Sequence, residues 1–205
     1  MKWSALYQSW LFCSHNLLGE RSPHEGTTFK RNKRNDNNSN KYTSNVLSPE
    51  LLECYNPGNH VFTRHYQMSE REMKARIRKA PVPSNGELLC ISRFTSNNKA
   101  EIAAMVAKCL LDESDTIMKW YKLNPFQPYE AKKTFDHPIG EGIVKGTDWN
   151  HLFPLSKLYV VIRLSDIRGR LFQIVTAYPA PSFDEVDDIY DAIDAWTASL
   201  EREDT

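Results

Sequence analysis

Two runs of β-branched and aromatic residues, Leu158-Tyr-Val-Val-Ile-Arg-Leu164 and Leu171-Phe-Gln-Ile-Val-Thr-Ala-Tyr178, stand on either side of the turn-forming Asp166-Ile-Arg-Gly169. Runs of this kind bounded by turn residues make an antiparallel hairpin. Pro179 and Pro181 follow at once and are expected to stop the second strand. Any fold for the chain has to be built around this hairpin, so the remaining question is what the other segments add to it.

Most of what they add is helical. After Met68, Ser69 can cap a helix and Glu72 can reach back to it, a capping box, with Met68 and Met73 placed as a hydrophobic staple. Met73, Ile77 and Ala80 share one face of that helix, and Arg76 lies on its flank. A second helix is expected from Thr95 or Ser96, with Ile102, Met105, Val106, Cys109 and Leu110 at helical spacing, continuing through Ile117, Trp120 and Tyr121 until Pro125. Residues 124–150, rich in Pro and Gly, read as loop except for a short strand at Gly142–Gly146. Beyond the hairpin, Val186, Ile189, Tyr190, Ile193 and Trp196 recur at helical spacing within an acidic sequence. Helices first and an antiparallel sheet afterwards indicate an α+β fold.

The 205 residues, 40% of them hydrophobic, suffice for one core of ordinary size. Residues 1–50 read as an N-terminal extension containing a basic, Asn-rich linker that starts its densest run at Lys30, residues 51–181 as the folded domain, and residues 182–205 as an acidic helical extension. Formal net charge is zero, yet the charges are segregated. Residues 182–205 hold nine Asp or Glu and only Arg202, whereas residues 46–181 hold 18 Lys or Arg against 14 Asp or Glu. A mildly basic body suits a polyanionic ligand, and the acidic segment is expected to fold over the basic cleft and lower activity through charge mimicry.

Cys13, Cys54, Cys90 and Cys109 show no CxxC spacing and read as reduced thiols, which suits a reducing compartment. No run is long and apolar enough for a membrane span, and residues 1–18 lack the uninterrupted core of a secretory signal. A cytoplasmic site of action follows. For a metal site, Asp136 with His137, and Asn150 with His151, are the nearest candidates, but no pair repeats at a ligand interval.

Several residues have the chemistry of a catalytic site. Thr176 and Tyr178, two apart on a strand, emerge on one face at the strand end. Both are ordinary strand residues, so the pair alone does not specify a site. His65 precedes the capping box, and a turn can return it toward Arg76, eleven residues on. His60 is a second histidine within reach, and Arg93, Lys145 and Arg163 are candidate contacts for a phosphate backbone.

The stretch His60-Val-Phe-Thr-Arg-His65, then Ser69-Glu-Arg-Glu-Met-Lys-Ala-Arg76, then Ser92-Arg-Phe-Thr95, then Thr176-Ala-Tyr-Pro179, resembles the RNase A-like toxin domain at the C-terminus of CdiA contact-dependent inhibition proteins. The resemblance spans roughly residues 57–181. It implies an α+β, RNase A-like fold in which N-terminal helices pack on a curved antiparallel sheet without disulfides. It further implies a metal-independent ribonuclease toxin that acts in interbacterial competition without a cofactor. His65, Arg76, Thr176 and Tyr178 would be its active site, RNA its substrate and a cognate immunity protein its partner, with the toxin itself a monomer. Tyr66-Gln-Met stands where the family's Val-Gly-Lys usually follows the histidine. The alternative is a non-catalytic protein that binds RNA or neutralises a toxin.

Overall fold

A computed structural model describes residues 49–203 apart from 57, 59, 82–87 and 167–170. The N-terminal linker, Cys13 and most of the Asp166–Gly169 turn lie outside the described residues. The elements run α1 (Pro49–Tyr55), α2 (His60–His65), α3 (Glu70–Lys79), β1 (Cys90–Phe94), α4 (Lys99–Asp112), α5 (Ser114–Leu123), β2 (Tyr129–Thr134), β3 (Gly140–Val144), β4 (Phe153–Leu155), β5 (Lys157–Leu164), β6 (Phe172–Ala180) and α6 (Phe183–Glu203).

The hairpin β5/β6 forms as expected and takes β2 on its other edge, giving the order β2-β5-β6. A second antiparallel sheet has the order β1-β3-β4. The fold is therefore α+β, with its antiparallel strands divided between two three-stranded sheets. Leu158, Val160 and Ile162 of β5, Ala131 of β2 and Phe172, Ile174 and Ala177 of β6 face the main core, where Val61, Phe62, Ile102, Val106, Ile117 and Trp120 cover them from α2, α4 and α5. The β1-β3-β4 sheet is sandwiched. Ile143 packs with Met68, Met73 and Ile77 on the α3 side, and Val144 and Phe153 pack with Ile189 of α6 on the other.

The two sheets meet where β6 lies against β1 and β3. Gly140 makes this approach possible, because a Cβ there would stand 2.3 Å from Pro179 Cγ and 2.6 Å from the Arg93 carbonyl oxygen.

The structure corrects two readings of the sequence and adds to it elsewhere. The segment 124–150 also contains β2, and β4 follows just after it; both are polar or very short, and long-range pairing rather than their own pattern holds them. The short helices α1 and α2, of seven and six residues, are below the length that stands on local propensity and are held by burial of Leu52, Tyr55, Val61 and Phe62. The second strand does not stop at Pro179, which pairs with Leu158 before the strand ends at Ala180; β6 is an edge strand of its sheet, where a missing N–H is tolerated. The acidic segment packs on the folded body as a helix. Its helix is stapled to β4 and β3 by the fully buried Ile189, and Glu185 accepts from the Ser156 and Ser182 backbone N–H groups at 3.1 and 2.6 Å.

Candidate active site

His65 closes α2, whose buried Val61 and Phe62 lock the helix against the core. Its Nδ1 lies 2.9 Å from the Ser92 carbonyl oxygen on β1. A carbonyl can only accept, so Nδ1 carries the proton and the neutral ring leaves Nε2 as a bare acceptor. Burial is the main cause that lowers the His65 pKa from 6.5 to about 4; the Ser92 bond opposes it, while Arg76, Arg64 and His60 add positive charge nearby. At neutral pH the imidazole is therefore uncharged, with Nε2 open as an acceptor.

Arg76 is placed by the helix that follows. Ser69 caps α3, the Glu72 backbone N–H donates to Ser69 Oγ at 3.3 Å, and the Ser69 N–H donates to Glu72 Oε2 at 3.0 Å. With its start so fixed, α3 turns back on α2, and Arg76 Nη1 donates to the Arg64 carbonyl at 3.1 Å. One donor of the fork holds the chain next to His65, and others remain for a ligand.

Tyr178 reaches the same place from β6. The strands pair Val161 with Thr176 but Ile162 with Ile174, so Val175 is the extra residue of a bulge. That one residue reverses the phase of the strand. Phe172 and Ile174 point into the core, Ala177 joins them, and Thr176 and Tyr178 turn to the opposite face. The Tyr178 ring lies 5.6 Å from that of His65, tilted by 30°. Burial, then the charge of Glu130, raises its pKa, so the phenol keeps its proton as a donor. Thr176 Oγ1 is buried and has no hydrogen-bond partner among the described residues.

The four expected residues thus converge: His65 touches Tyr178, feels the charge of Arg76, and Thr176 shares the face of β6 with Tyr178. Other candidates fall elsewhere. His60 is near enough to influence His65 electrostatically. Lys145 Nζ donates to the Ile77 and Ala80 carbonyls at 3.0 and 3.3 Å and serves the C-terminus of α3. Arg163 lies opposite Gln173 on the hairpin. Asp136 and His137 form an exposed pair, and His151 packs edge-on against Phe153. Among the described residues no three His, Cys, Asp or Glu gather as metal ligands, and burial pushes the Cys90 and Cys109 thiols up to about 12.

Sequence reasoning missed one support, the Ser92 carbonyl, since a backbone acceptor leaves no trace in residue type. Arg93, expected as a contact for a phosphate backbone, instead ties together the surroundings of the site: it pairs with Glu141, and Nη1 donates to the Met68 carbonyl at 2.5 Å. Beside it a pocket of about 440 Å³ is lined by Gln67, Arg93, Phe94, Thr95, Asn97 and Glu141.

The sequence pattern of the bacterial CdiA-CT RNAse A domain matches residues 59–179. The chain belongs to that family. This makes it a ribonuclease toxin domain, and all four converging residues lie within the matched span. The CdiA-CT RNase A fold is supported by a solved structure, a CdiA-CT/CdiI complex from Y. kristensenii. The matched chain is 19% identical, with a TM-score of 0.50, covering 60% of this chain and 99% of that one. A search of curated proteins gave no match. The turn after His65 also becomes intelligible: Gln67, standing where the family usually has glycine, has φ +52, the left-handed conformation that glycine adopts without steric cost.

Proposed function

We propose that the domain comprising residues 51–181 is a metal-independent endoribonuclease that cleaves RNA through its own 2′-hydroxyl, leaving a 2′,3′-cyclic phosphate. The observation that carries this reading is the neutral His65, pinned at Nδ1 by the Ser92 carbonyl with Nε2 free, in ring contact with Tyr178. Nε2 takes the 2′-hydroxyl proton as the oxygen attacks phosphorus. The bond from phosphorus to the 5′-oxygen breaks, and the Tyr178 phenol protonates the departing oxygen. His65 then gives up its proton and the tyrosinate regains one through solvent, which closes the balance. Arg76 holds the phosphate as negative charge grows, and Thr176 Oγ1 donates to a non-bridging oxygen. These four side chains supply a base, an acid and charge stabilisation, so the reaction asks for no cofactor.

The relative of known structure is a complex, and by analogy this domain is neutralised by an immunity protein of the CdiI kind, acting as a monomer delivered into the cytoplasm of a target cell. Among the described residues no helix is long and apolar enough to cross a membrane.

The test is cleavage of total RNA and of a defined tRNA by purified protein in excess chelator. Wild-type protein should leave cyclic phosphate ends, and His65→Ala should be inert while folded. Cleavage that requires a divalent ion, or that survives His65→Ala, would overturn the mechanism; no cleavage at all would favour a binding protein.

A further inference from the structure

The face of β2-β5-β6 turned away from the core carries a row of rings that begins at the active site. Tyr178, which meets His65, is also stacked on Tyr159 of β5, its cross-strand partner, with centroids 5.6 Å apart and planes within 7°. On the far side of Tyr159, β2 contributes Lys132, the residue paired with it. Lys132 Nζ lies 5.0 Å and Lys157 Nζ 5.2 Å from the Tyr159 ring centroid. Two ammonium groups are thereby gathered over one tyrosine, one strand away from Tyr178. Two acids stand nearby: Glu130, whose Oε2 is 3.5 Å from Lys132 Nζ, and Glu185, which accepts from the backbone N–H of Ser156 beside Lys157 and is engaged there. The Lys132–Glu130 pair is about half exposed, and such a pair contributes little and exchanges readily.

Two lysines brought together on an aromatic face, beside a site for a phosphodiester, have the chemistry of a second phosphate subsite. The direction of the row adds a polarity. His65 acts on the 2′-hydroxyl side of the scissile phosphate and Tyr178 on the leaving 5′-oxygen side. Tyr159 and its lysines lie beyond Tyr178, hence on the leaving-group side.

We propose that Lys132 and Lys157, held over Tyr159, bind the phosphodiester immediately 3′ to the scissile bond, so that RNA runs from His65 across Tyr178 toward β2. The polarity rests on the ribonuclease reading above, whereas the phosphate subsite itself does not.

Two measurements test it. In the first, a short single-stranded RNA bearing 2′-deoxyribose at the cleavage position is bound to the full chain by fluorescence anisotropy. Lys132→Ala/Lys157→Ala should weaken binding about tenfold and make the slope of log affinity against log salt shallower by about 0.7 for each phosphate no longer neutralised. Lys119→Ala/Lys122→Ala, which removes the same charge from the exposed side of α5, should change neither. In the second, kcat/KM is compared for a dinucleotide and for trinucleotides extended by one phosphate on the 3′ or the 5′ side. Wild type should gain from the 3′ extension, and the Lys132/Lys157 variant should show no such gain.

Equal binding by wild type and the Lys132/Lys157 variant, or equal weakening in both lysine pairs, overturns the subsite. A gain confined to the 5′ extension overturns the polarity. Intact RNA in every reaction, with the binding difference preserved, means that the ribonuclease reading has failed and the phosphate subsite has not.

Discussion

Burial keeps the His65 imidazole neutral down to about pH 4, whereas an unfolded chain protonates it near 6.5. Between those values the unfolded state binds the additional proton, so this group's share of stability is full above 6.5 and declines as pH falls toward 4. Thermal unfolding of wild type and His65→Asn from pH 7 to pH 4 should show the wild type losing stability more steeply; parallel curves would place the effect elsewhere. The acid limb of kcat/KM should lie near pH 4 for the same reason, well below the range of an exposed histidine. At Gln67, φ +52 imposes on a side-chain-bearing residue a conformation that costs about 1–2 kcal/mol. Gln67→Gly relieves it but adds unfolded-state entropy, for a net gain of roughly 0.5–1 kcal/mol. A denaturant titration with unchanged m-value would measure that gain, and a loss would mean that the Gln67 side chain supports the turn.

Elements that carry their own signals were readable one at a time. The capping box at Ser69 announced α3 and the strand runs announced β5 and β6, while the long amphipathic pattern announced α6. The expected single helix from Thr95 to Pro125 is real in its periodicity but broken at Glu113 into α4 and α5. β2 escaped because Tyr-Glu-Ala-Lys-Lys-Thr presents one fully buried residue, Ala131, and is a strand through its pairing with β5. For α6 the amphipathic pattern was right, and its seat is fixed by Ile189 sealed against Val144 and Phe153, a local burial stronger than a diffuse, salt-screened attraction between net charges. Ile189→Ala should therefore cost about 2–5 kcal/mol, measured by chemical denaturation, although the residue lies outside the span that the family shares. A change below about 0.5 kcal/mol, the range of an exposed position, would show α6 to be a loose appendage.

At the scale of the whole molecule, β6 belongs to both halves. It pairs with β5, receives α2, and leans on β1 and β3 across the close approach of Gly140 to Pro179. Separating the two sheets would expose both cores, so the described domain should unfold as one unit. Far-UV circular dichroism should give the same denaturation midpoint as the fluorescence of two single-tryptophan variants. One would keep Trp120 in the main core and the other Trp149 beside α3; distinct midpoints would show that the sheets melt separately. The sequence by itself determined the hairpin, the principal helices and the adjacency of Thr176 to Tyr178, because each depends on a period or a cap written within a few residues. Only the tertiary structure decided that a bulge at Val175 turns that pair away from the core, that the Ser92 carbonyl selects the tautomer of His65, and that β2 brings Lys132 to Tyr159. Those outcomes depend on which strand edges and backbone groups come together from distant parts of the chain, and no local pattern of residue types encodes that meeting.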